Sequence, residues 1–432
     1  MNNNRNSNTR PAANQRRNAR PAGRPGQNKK KESKLDPNLF VKKAQPSGQQ
    51  GFRSETPFKS VKLNASLLRN LEAKGYESMT NIQEQAIPSL MERRDLLGIS
   101  NTGSGKTGAF LIPIIEHAKL DPQNFTALIV TPTRELALQI EEEFKSLSKG
   151  MNLYSNTFIG GTNINSDFKA LSRKLHVIVG TPGRLLDLSN RKLLHLNRVN
   201  TLVLDEFDRM LDMGFVHDVK KLVNLMTKRS QTMLFSATLE PSQKALIDGL
   251  LNNPVEIKVN TGGTTSENVD QEIIRVPEGK NKFDILADLF KGNELEKVII
   301  FTETKRLADK LSKQLNQSGI KSGLIHGNKS QNFRNRTIDE FKTGMTRVLV
   351  ATDVAARGID VADVSHVINF QLPMSMDSYI HRIGRTGRAG KTGKATHSLK
   401  SKKQNLRKEK REKSKRRWLL VKISRKAEIW TI

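Results

Sequence analysis

Three short segments of the sequence carry residue types suited to phosphate chemistry. Residues 100–107 read Ser-Asn-Thr-Gly-Ser-Gly-Lys-Thr, residues 205–208 read Asp-Glu-Phe-Asp, and residues 381–388 read His-Arg-Ile-Gly-Arg-Thr-Gly-Arg. A glycine-rich loop with a lysine can cradle phosphates, carboxylates can hold Mg²⁺ and orient water, and arginines can stabilise the transition state. Together these segments predict hydrolysis of a nucleoside triphosphate. The arginines lie so far from the other two segments that we expect two domains to complete the site.

Short apolar runs alternate with amphipathic stretches through the body of the chain. The first series of runs comprises residues 96–99, 127–130, 177–179, 202–204 and 233–235, with helix-like stretches such as 134–147 and 241–251 between them. The second series comprises residues 298–301, 323–325, 348–350 and 367–368. Alternation of this kind predicts an α/β fold with parallel sheets covered on both faces. A polar stretch at 260–266, typical of a linker, separates the two series and indicates two domains.

Composition limits the class of protein. With 432 residues, of which 36% are apolar, the chain is long enough to form two separate cores. It contains no cysteine, which excludes disulfides and thiolate metal sites and fits a reducing compartment. No apolar run approaches the roughly 18 residues of a membrane span, and the first residues are polar and basic. We therefore expect a soluble, cytoplasmic protein that is not bound to a membrane.

The net charge of +30 is concentrated at the two ends of the chain. Residues 1–50 contain 12 Lys and Arg against 2 acidic residues, and residues 391–432 contain 16 against 3, which leaves +7 for residues 51–390. The first segment nearly lacks large apolar side chains, so it is predicted to be a disordered basic tail. Such tails can bind a polyanion or only keep a protein in solution. Beside a core that acts on nucleic acid, contact with RNA is favoured.

From about Phe58 to Gly393 the chain resembles the DEAD-box RNA helicases of helicase superfamily 2. The three segments above occur together with further motifs in the family's order, at residues 75–83, 132–136, 181–184, 236–238 and 357–360. The resemblance implies two RecA-like domains in tandem, over residues 51–259 and 269–399. A linker at 260–268, the disordered basic tail at 1–50 and a basic extension at 400–432 complete the predicted organisation.

The resemblance assigns one group of residues to ATP and Mg²⁺. Phe58 would stack on adenine, Gln83 would hydrogen-bond the edge of the base, and Asp360 would bind the ribose. The phosphate ligands would be Thr102, Gly103, Ser104, Gly105, Lys106 and Thr107. Thr107 and Asp205 would hold Mg²⁺, largely through water, and Glu206 would orient or deprotonate the attacking water. Lys106 would also take part in catalysis, and Arg385 and Arg388 would be arginine fingers from across the cleft.

Two positions depart from the family's pattern. Ser100 stands where the family has Ala, and we expect this small change to be tolerated. Phe207 stands where the family's namesake motif has Ala, so that the motif reads Asp-Glu-Phe-Asp. The carboxylates that hydrolysis requires, Asp205 and Glu206, are both retained. The bulky ring of Phe207 is expected to change the local packing.

A second group of residues is assigned by the resemblance to coupling and to RNA. Coupling of the ATP state to strand separation would involve Asp208, Ser236 and Thr238, with His381 and Arg382 supporting the arginine fingers. The RNA contacts would be Thr133, Arg134, Gly161, Thr181, Arg184, Gln331, Arg334 and Thr352. Hydroxyls, glycine amides and guanidinium groups suit phosphates and sugars better than base edges. The expected RNA binding is therefore independent of sequence.

The resulting prediction is an ATP-dependent RNA helicase that requires Mg²⁺. RNA-stimulated ATP hydrolysis would be coupled to cleft closure, RNA bending and either local unwinding of short duplexes or remodelling of ribonucleoproteins. Two alternatives stay open: an RNA-binding or annealing protein with weak ATPase activity, and a DNA helicase. RNA-stimulated ATPase activity tests the first alternative, and competition between RNA and DNA duplexes tests the second. We expect the protein to be a monomer and its partners to include ribonucleoproteins.

The C-terminal sequence departs most from the resemblance. Such domains add an apolar strand and then a helix, whereas residues 395–400 read Ala-Thr-His-Ser-Leu-Lys, which indicates a poor strand. Residues 402–417 are highly charged, and both tryptophans, Trp418 and Trp430, follow. Three explanations stay open: a basic RNA-binding extension, which we favour for residues 400–417, a segment that docks Trp418 on a sheet edge, and an altered reading frame.

Overall fold

A computed structural model of the chain shows two open parallel sheets, each with helices around it. It describes residues 35–36, 40–44, 53–101, 103–259, 268–277, 279–292, 295–356, 361, 363–387 and 392–400. The predicted α/β fold with two RecA-like domains is confirmed. Within these ranges, no helix combines the length and the apolar character that crossing a membrane requires.

The first domain is built around a seven-stranded sheet. Its strands are β3 (Leu96–Ile99), β4 (Ala127–Val130), β5 (Ser155–Phe158), β6 (Val177–Gly180), β7 (Thr201–Leu204), β8 (Gln231–Ser236) and β9 (Val255–Lys258), preceded by a separate antiparallel pair, β1 (Arg53–Pro57) and β2 (Ser78–Thr80). The order is β5-β6-β4-β7-β8-β3-β9, and all neighbouring strands are parallel. The loops after β3 and β7 therefore emerge at the same edge, where ligands bind in open parallel sheets.

Helices cover both faces of this sheet. They are α1 (Ala65–Ala73), α2 (Asn81–Met91), α3 (Lys106–Leu120), α4 (Arg134–Leu147), α5 (Ile164–Leu171), α6 (Pro182–Asn190), α7 (Phe207–Asp212), α8 (Val216–Asn224) and α9 (Pro241–Asp248). Successive strand residues point to opposite faces. Ala127 and Ile129 accordingly join one buried apolar cluster, and Leu128 and Val130 join another. Since both faces are buried, the strands read as continuous apolar runs.

The second domain contains a six-stranded sheet in the order β10-β15-β14-β11-β13-β12. The strands are β10 (Val269–Val276), β11 (Val298–Thr302), β12 (Ser322–Ile325), β13 (Val348–Thr352), β14 (His366–Asn369) and β15 (Gly393–Lys400), and the helices are α10 (Lys282–Leu289), α11 (Lys305–Gln317), α12 (Gln331–Lys342), α13 (Asp353–Ala356) and α14 (Met376–Ile383). Ile299 and Phe301 belong to one apolar cluster, and Val298 and Ile300 to another, so this sheet is also buried on both faces.

The expectation of a poor strand at residues 395–400 is wrong. Strand β15 lies inside the second sheet and pairs in parallel with both β10 and β14. Two of its polar side chains have partners: Thr396 Oγ1 donates to Glu272 Oε1 at 2.7 Å, and the buried His397 Nδ1 lies 3.0 Å from Asn369 Nδ2. Hydrogen-bonded polar groups are tolerated in a core, but their partners come from distant strands that the local sequence does not indicate.

One segment of the predicted N-terminal tail packs on the second domain. The Phe40 side chain is fully buried in a cluster with Val269, Tyr379 and other apolar residues. Its treatment as part of a tail without packed residues is therefore wrong. Residues 1–34 lie outside the described ranges, as do the predicted linker apart from Asn268 and the predicted extension apart from Lys400.

Candidate nucleotide and RNA site

The loop between β3 and α3 has the geometry of a phosphate cradle. Gly103 and Gly105 have φ angles of 82° and 97°, in the left-handed region that favours glycine. A Cβ atom on Gly105 would lie 2.6 Å from Thr80 Oγ1 and 2.8 Å from Gln83 Nε2. Helix α3 begins at Lys106 immediately after the loop, so its first amide groups are available to an anion.

The lysine of this loop is held by the loop itself. Lys106 is buried, and its Nζ donates to the Ser100 carbonyl oxygen at 2.7 Å. The Ser100 and Ser104 hydroxyls, both buried, lie 2.9 Å apart. A bound phosphate would replace the Ser100 carbonyl as the partner of the lysine. Thr102, predicted as a further phosphate ligand, lies outside the described residues.

The predicted adenine residues lie next to the phosphate loop. Gln83 Oε1 accepts from the Thr80 backbone N–H at 2.9 Å, while Nε2 donates to the Gly105 carbonyl at 3.0 Å. Gln83 therefore connects the start of α2 to the loop. Phe58 is buried, and its ring centroid lies 5.9 Å from that of Tyr76, beside a cleft of about 220 Å³. The adenine contacts assigned to Phe58 and Gln83 stay predictions.

The two carboxylates predicted to act in hydrolysis, Asp205 and Glu206, follow β7 and are buried. Burial raises the pKa of Asp205 to about 6, and the nearby positive charge of Lys106 opposes this rise. Glu206 has a φ angle of 52°, a backbone conformation that is uncommon for residues other than glycine and occurs at functional sites. Its Oε2 accepts from Arg209 Nη1 at 3.1 Å, and Arg209 is itself almost fully buried. Arg209 thus fixes the orientation of the Glu206 carboxylate.

The donor set fits Mg²⁺ that is bound together with a nucleotide. Among the described residues there is no group of three or more His, Cys, Asp or Glu that could hold a metal alone. Nucleotide-bound Mg²⁺ usually takes one or two protein carboxylates, and phosphates and water complete its coordination. Asp205 and Thr107 line the same cleft. A divalent cation there would stabilise the charged form of Asp205, which burial otherwise disfavours.

A cleft of about 520 Å³ lies between the first and second domains at this site. Its lining includes Lys106, Thr107, Asp205 and Glu206 of the first domain and Arg385, which follows α14 in the second. This volume lies within the range of small-molecule sites. The structure therefore brings one predicted arginine finger to the phosphate and carboxylate residues. The other predicted finger, Arg388, and the predicted ribose ligand, Asp360, lie outside the described residues.

The predicted coupling residues of the first domain are connected by hydrogen bonds. Asp208 Oδ2 accepts from the backbone N–H groups of Ala237 and Thr238 and from Thr238 Oγ1, each at 3.2 Å. The Ser236 hydroxyl donates to the Thr238 carbonyl at 2.6 Å. The acidic motif is thereby connected to the end of β8, so a displacement of one would be transmitted to the other.

In the second domain, Arg382 holds the helix that carries the arginine motif. It forms a bidentate pair with Asp353, at 2.5 Å from Nε and 2.7 Å from Nη2, and Nη1 donates to Asn369 Oδ1 at 2.9 Å. Arg385 Nε donates to the His381 carbonyl at 3.3 Å. Arg382 therefore connects α14 to α13 and β14 and supports the position of Arg385, while His381 supports it through its backbone.

Several predicted RNA residues meet across the two domains. Arg134 Nη1 donates to Gln331 Oε1 at 3.2 Å, and Arg334 Nη2 lies 2.8 Å from Glu135 Oε1. A Cβ atom on Gly161 would lie 2.6 Å from Arg134 Nη1, so the glycine leaves room for this guanidinium. Burial lowers the pKa of Arg134, and the charge of Arg334 adds to the effect. With two guanidinium groups and one carboxylate, the cluster has an excess of positive charge suited to phosphate.

The other predicted RNA residues lie at the starts of helices or the end of a strand. Thr133 precedes α4, and its hydroxyl accepts from the Leu136 backbone N–H at 3.4 Å; Thr181 precedes α6, and Thr352 ends β13. Arg184 Nη2 lies 2.7 Å from Asp167 Oδ2 and donates to the Thr162 carbonyl at 3.2 Å. A phosphate at Arg184 would have to compete with these partners.

Three partner residues were not singled out from the sequence. Arg209 holds Glu206, Asp353 holds Arg382, and Glu135 joins Arg334. The spacing of Arg209, three residues after Glu206 at a helix start, is a usable signal. Asp353 and Glu135 have partners in distant elements, so only the fold reveals them.

Two parallel-sheet α/β domains around a phosphate loop, paired carboxylates and an arginine from across the cleft define a two-domain RecA-like protein. The family profile DEAD/DEAH box helicase matches residues 80–246, and the profile helicase conserved C-terminal domain matches residues 281–390. The chain is 41% identical over 329 residues to the DEAD-box ATP-dependent RNA helicase CshA of Bacillus cereus, which is 76% of this chain and 62% of that relative. It thus spans less than two thirds of the length of this curated relative.

Solved structures of similar fold have nucleotide analogues and RNA bound. S. cerevisiae Dbp5 bound to RNA and ADP BeF3 aligns with a TM-score of 0.72 at 32% identity, over 80% of this chain and 90% of Dbp5. The DEAD-box helicase Mss116 bound to ssRNA and UDP-BeF aligns with a TM-score of 0.73 at 30% identity, over 81% of this chain and 76% of Mss116. This chain belongs to the DEAD-box helicase family.

Proposed function

We propose that the chain is an ATP-dependent RNA helicase in which RNA binding closes the cleft between residues 51–259 and 269–399. The observation that carries the proposal is the cleft of about 520 Å³ in which Lys106, Asp205 and Glu206 face Arg385. A phosphate ligand, a metal-binding carboxylate, a water-activating carboxylate and a cation from the opposite domain are the groups that phosphoryl transfer to water requires. The family membership and the RNA-bound relatives support the same proposal.

Each of these side chains has a distinct part in hydrolysis. Lys106 would leave the Ser100 carbonyl and bind the β and γ phosphates, and Asp205 and Thr107 would hold Mg²⁺, which supplies positive charge beside the phosphates. Glu206 would orient the attacking water and accept its proton, with its carboxylate fixed by Arg209. Arg385 would stabilise the negative charge that develops on the transferred phosphoryl group.

The group of predicted RNA residues that meets across the two domains suggests how ATP hydrolysis would depend on RNA. Arg134 of the first domain and Gln331 and Arg334 of the second lie within one hydrogen-bonded group. A phosphate of RNA bound there would contact both domains and favour the conformation in which they are close. In the same conformation Arg385 would reach the proposed ATP site, so RNA and ATP would each strengthen the binding of the other. Bending and local unwinding of a duplex would follow from this closure.

The proposal is tested by ATP hydrolysis with and without single-stranded RNA. Lys106→Ala removes the positive charge that binds the phosphates, and Glu206→Gln removes the general base, so each should abolish RNA-stimulated hydrolysis. A positioned general base alone contributes about 10²–10⁴ in rate. Glu206→Gln should retain ATP binding and hold RNA more tightly. Glu92→Gln, at an exposed position on the same domain, is the matched control. Hydrolysis at the wild-type rate in Glu206→Gln would refute the role given to this carboxylate.

The same assays separate the alternatives. A wild-type chain that binds RNA without RNA-stimulated turnover would be an RNA-binding or annealing protein. Equal competition by DNA and RNA duplexes in an unwinding assay would indicate a helicase that does not discriminate between them. We expect RNA-stimulated turnover and preferential inhibition by RNA duplexes.

A further inference from the structure

A segment that precedes the family's motifs is packed on the second domain. Phe40 is fully buried, with its ring centroid 4.5 Å from that of Tyr379 and 5.3 Å from that of His397. Lys42 and Gln271 exchange two backbone hydrogen bonds, of 3.2 and 2.7 Å, and the Ala44 N–H donates to Asp270 Oδ1 at 2.7 Å. Segment 40–44 therefore combines a buried aromatic anchor with antiparallel pairing to β10.

The position of this contact is informative because β10 is an edge strand of the second sheet. Edge strands present backbone donors and acceptors that pair readily with another extended segment. Here the chain supplies that segment itself, at Lys42. The neighbouring Val41 side chain is 65% exposed, so the burial is specific to Phe40.

The anchor contacts the helix that carries the arginine motif. Tyr379, against which Phe40 packs, lies on α14 three residues before Arg382 and six before Arg385. The Tyr379 hydroxyl also contacts Gln271 and lies 3.2 Å from His397 Nε2. Phe40, β10, β15 and α14 thus form one packed unit, and α14 carries Arg382. Loss of the anchor would remove packing from the side of α14 that these elements cover.

The segment also connects the domains a second time. Residue 44 contacts the second domain, while residue 53 begins β1 of the first. The nine intervening peptide steps span at most about 30 Å when fully extended. The predicted linker at residues 260–268 is the other covalent connection. A chain held at both connections allows fewer relative orientations of the domains than a chain held at one.

We propose that residues 40–44 are a docked segment that positions α14, and through it Arg382 and Arg385, for the reaction across the cleft. Phe40 is the anchor of this segment and acts as a positioning residue, since it acts only through α14. The kinetic part of this proposal rests on the proposed function. The docking itself does not.

Docking is tested by limited trypsin digestion of the full chain, with cleavage after Lys42 and Lys43 followed by mass spectrometry. Burial of a phenylalanine side chain contributes a factor of roughly 10–100 to such an equilibrium. Phe40→Ala should therefore accelerate cleavage at these lysines by about 10–100-fold, because proteolysis follows the population of the released segment. Val41→Ala is the matched control and should leave the rate unchanged. Phe40→Leu, which retains apolar volume, should restore much of the protection.

Positioning is tested by RNA-stimulated ATP hydrolysis of the same variants, at a temperature where circular dichroism shows each to be folded. Phe40→Ala should lower kcat by about tenfold, equivalent to about 1.4 kcal/mol in the barrier. The slope of log RNA affinity against log salt should stay unchanged, because no phosphate contact is removed. Phe40→Leu should recover kcat as it recovers protection from trypsin.

Three results would contradict parts of the account in distinguishable ways. Cleavage of Phe40→Ala at the rate of Val41→Ala would overturn the docking. Accelerated cleavage with an unchanged kcat would overturn the positioning role. A wild-type chain without RNA-stimulated turnover would overturn the proposed function, and the digestion would still decide the docking.

Discussion

Replacement of Phe207 by Ala tests how the chain accommodates the predicted departure from the family's motif. The Phe207 side chain is only 1% exposed and belongs to the same apolar cluster as Leu204, Met210 and Leu234. Truncation of a fully buried phenylalanine typically costs about 3–5 kcal/mol, because transferred apolar surface is lost and a cavity remains. We expect the free energy of unfolding of the first domain to fall by an amount in this range, even though Ala is the residue that the resemblance predicts at this position.

Hydrolysis should survive the same change. Asp205 and Glu206 are held by a backbone N–H group and by Arg209, neither of which involves the Phe207 ring. The RNA-stimulated ATPase rate of Phe207→Ala should therefore equal that of the wild type at a temperature where both are folded. Either residue at position 207 would then be compatible with ATP hydrolysis, and the Phe207 ring would contribute to the stability of the core.

Urea unfolding, monitored by circular dichroism, measures the stability of each variant. ATPase rates of the same variants are measured in parallel. Phe215→Ala is a suitable control, because Phe215 packs against the same cluster but is only partly buried, and its loss should be smaller. A loss below about 1 kcal/mol for Phe207→Ala would show that the ring does not fill the core as described. A large gain in ATPase rate would show instead that the native ring restrains turnover.

Three further predictions concern the basic tail, the phosphate loop and a buried histidine. Residues 1–34 contain 10 Lys and Arg, and their deletion leaves Phe40 in place. The deletion should weaken RNA affinity and flatten its salt dependence without changing turnover at saturating RNA. An unchanged slope of log affinity against log salt would show that the tail makes no phosphate contacts. Ser100→Ala removes the hydrogen bond to Ser104 and should destabilise the first domain by about 1 kcal/mol in thermal melting, so an unaltered melting temperature would contradict it. Burial lowers the pKa of His397 to about 4, and the charge of Arg382 adds to this effect, so the unfolded chain takes up a proton below pH 6.5 that the folded domain does not. The free energy of unfolding of the second domain should therefore fall by about 2 kcal/mol between pH 7 and pH 5. In melting curves, His397→Gln should remove this dependence of stability on pH.

The parts of the fold and site that could be predicted from sequence are those encoded locally. The phosphate loop needs glycines at positions with left-handed backbone and a lysine at the following helix start, and all of these are adjacent in the sequence. Continuous apolar runs likewise predicted the buried parallel strands. Strand β11, expected at residues 298–301, is observed as Val298–Thr302.

What could not be predicted depends on partners that are distant in the chain. Strand β15 is polar in sequence, and His397 and Thr396 are accommodated only because Asn369 and Glu272 face them. Phe40 lies in a short apolar run, residues 39–41, within an otherwise polar segment, and its burial follows from the pocket that β10, β15 and α14 form together. In both cases the local sequence shows the side chain but not the group that receives it.

If an arginine of the second domain completes the ATP site, as we propose, Arg385→Ala should remove most of the RNA-stimulated activity. An arginine finger contributes about 10³–10⁵ in rate, so RNA-stimulated kcat should fall by at least about 10³-fold. ATP binding, which is assigned mainly to the first domain, should be retained. A kcat within about tenfold of the wild type would contradict the account, because the cleft that Arg385 shares with Lys106 and Glu206 would then not be the site of the reaction.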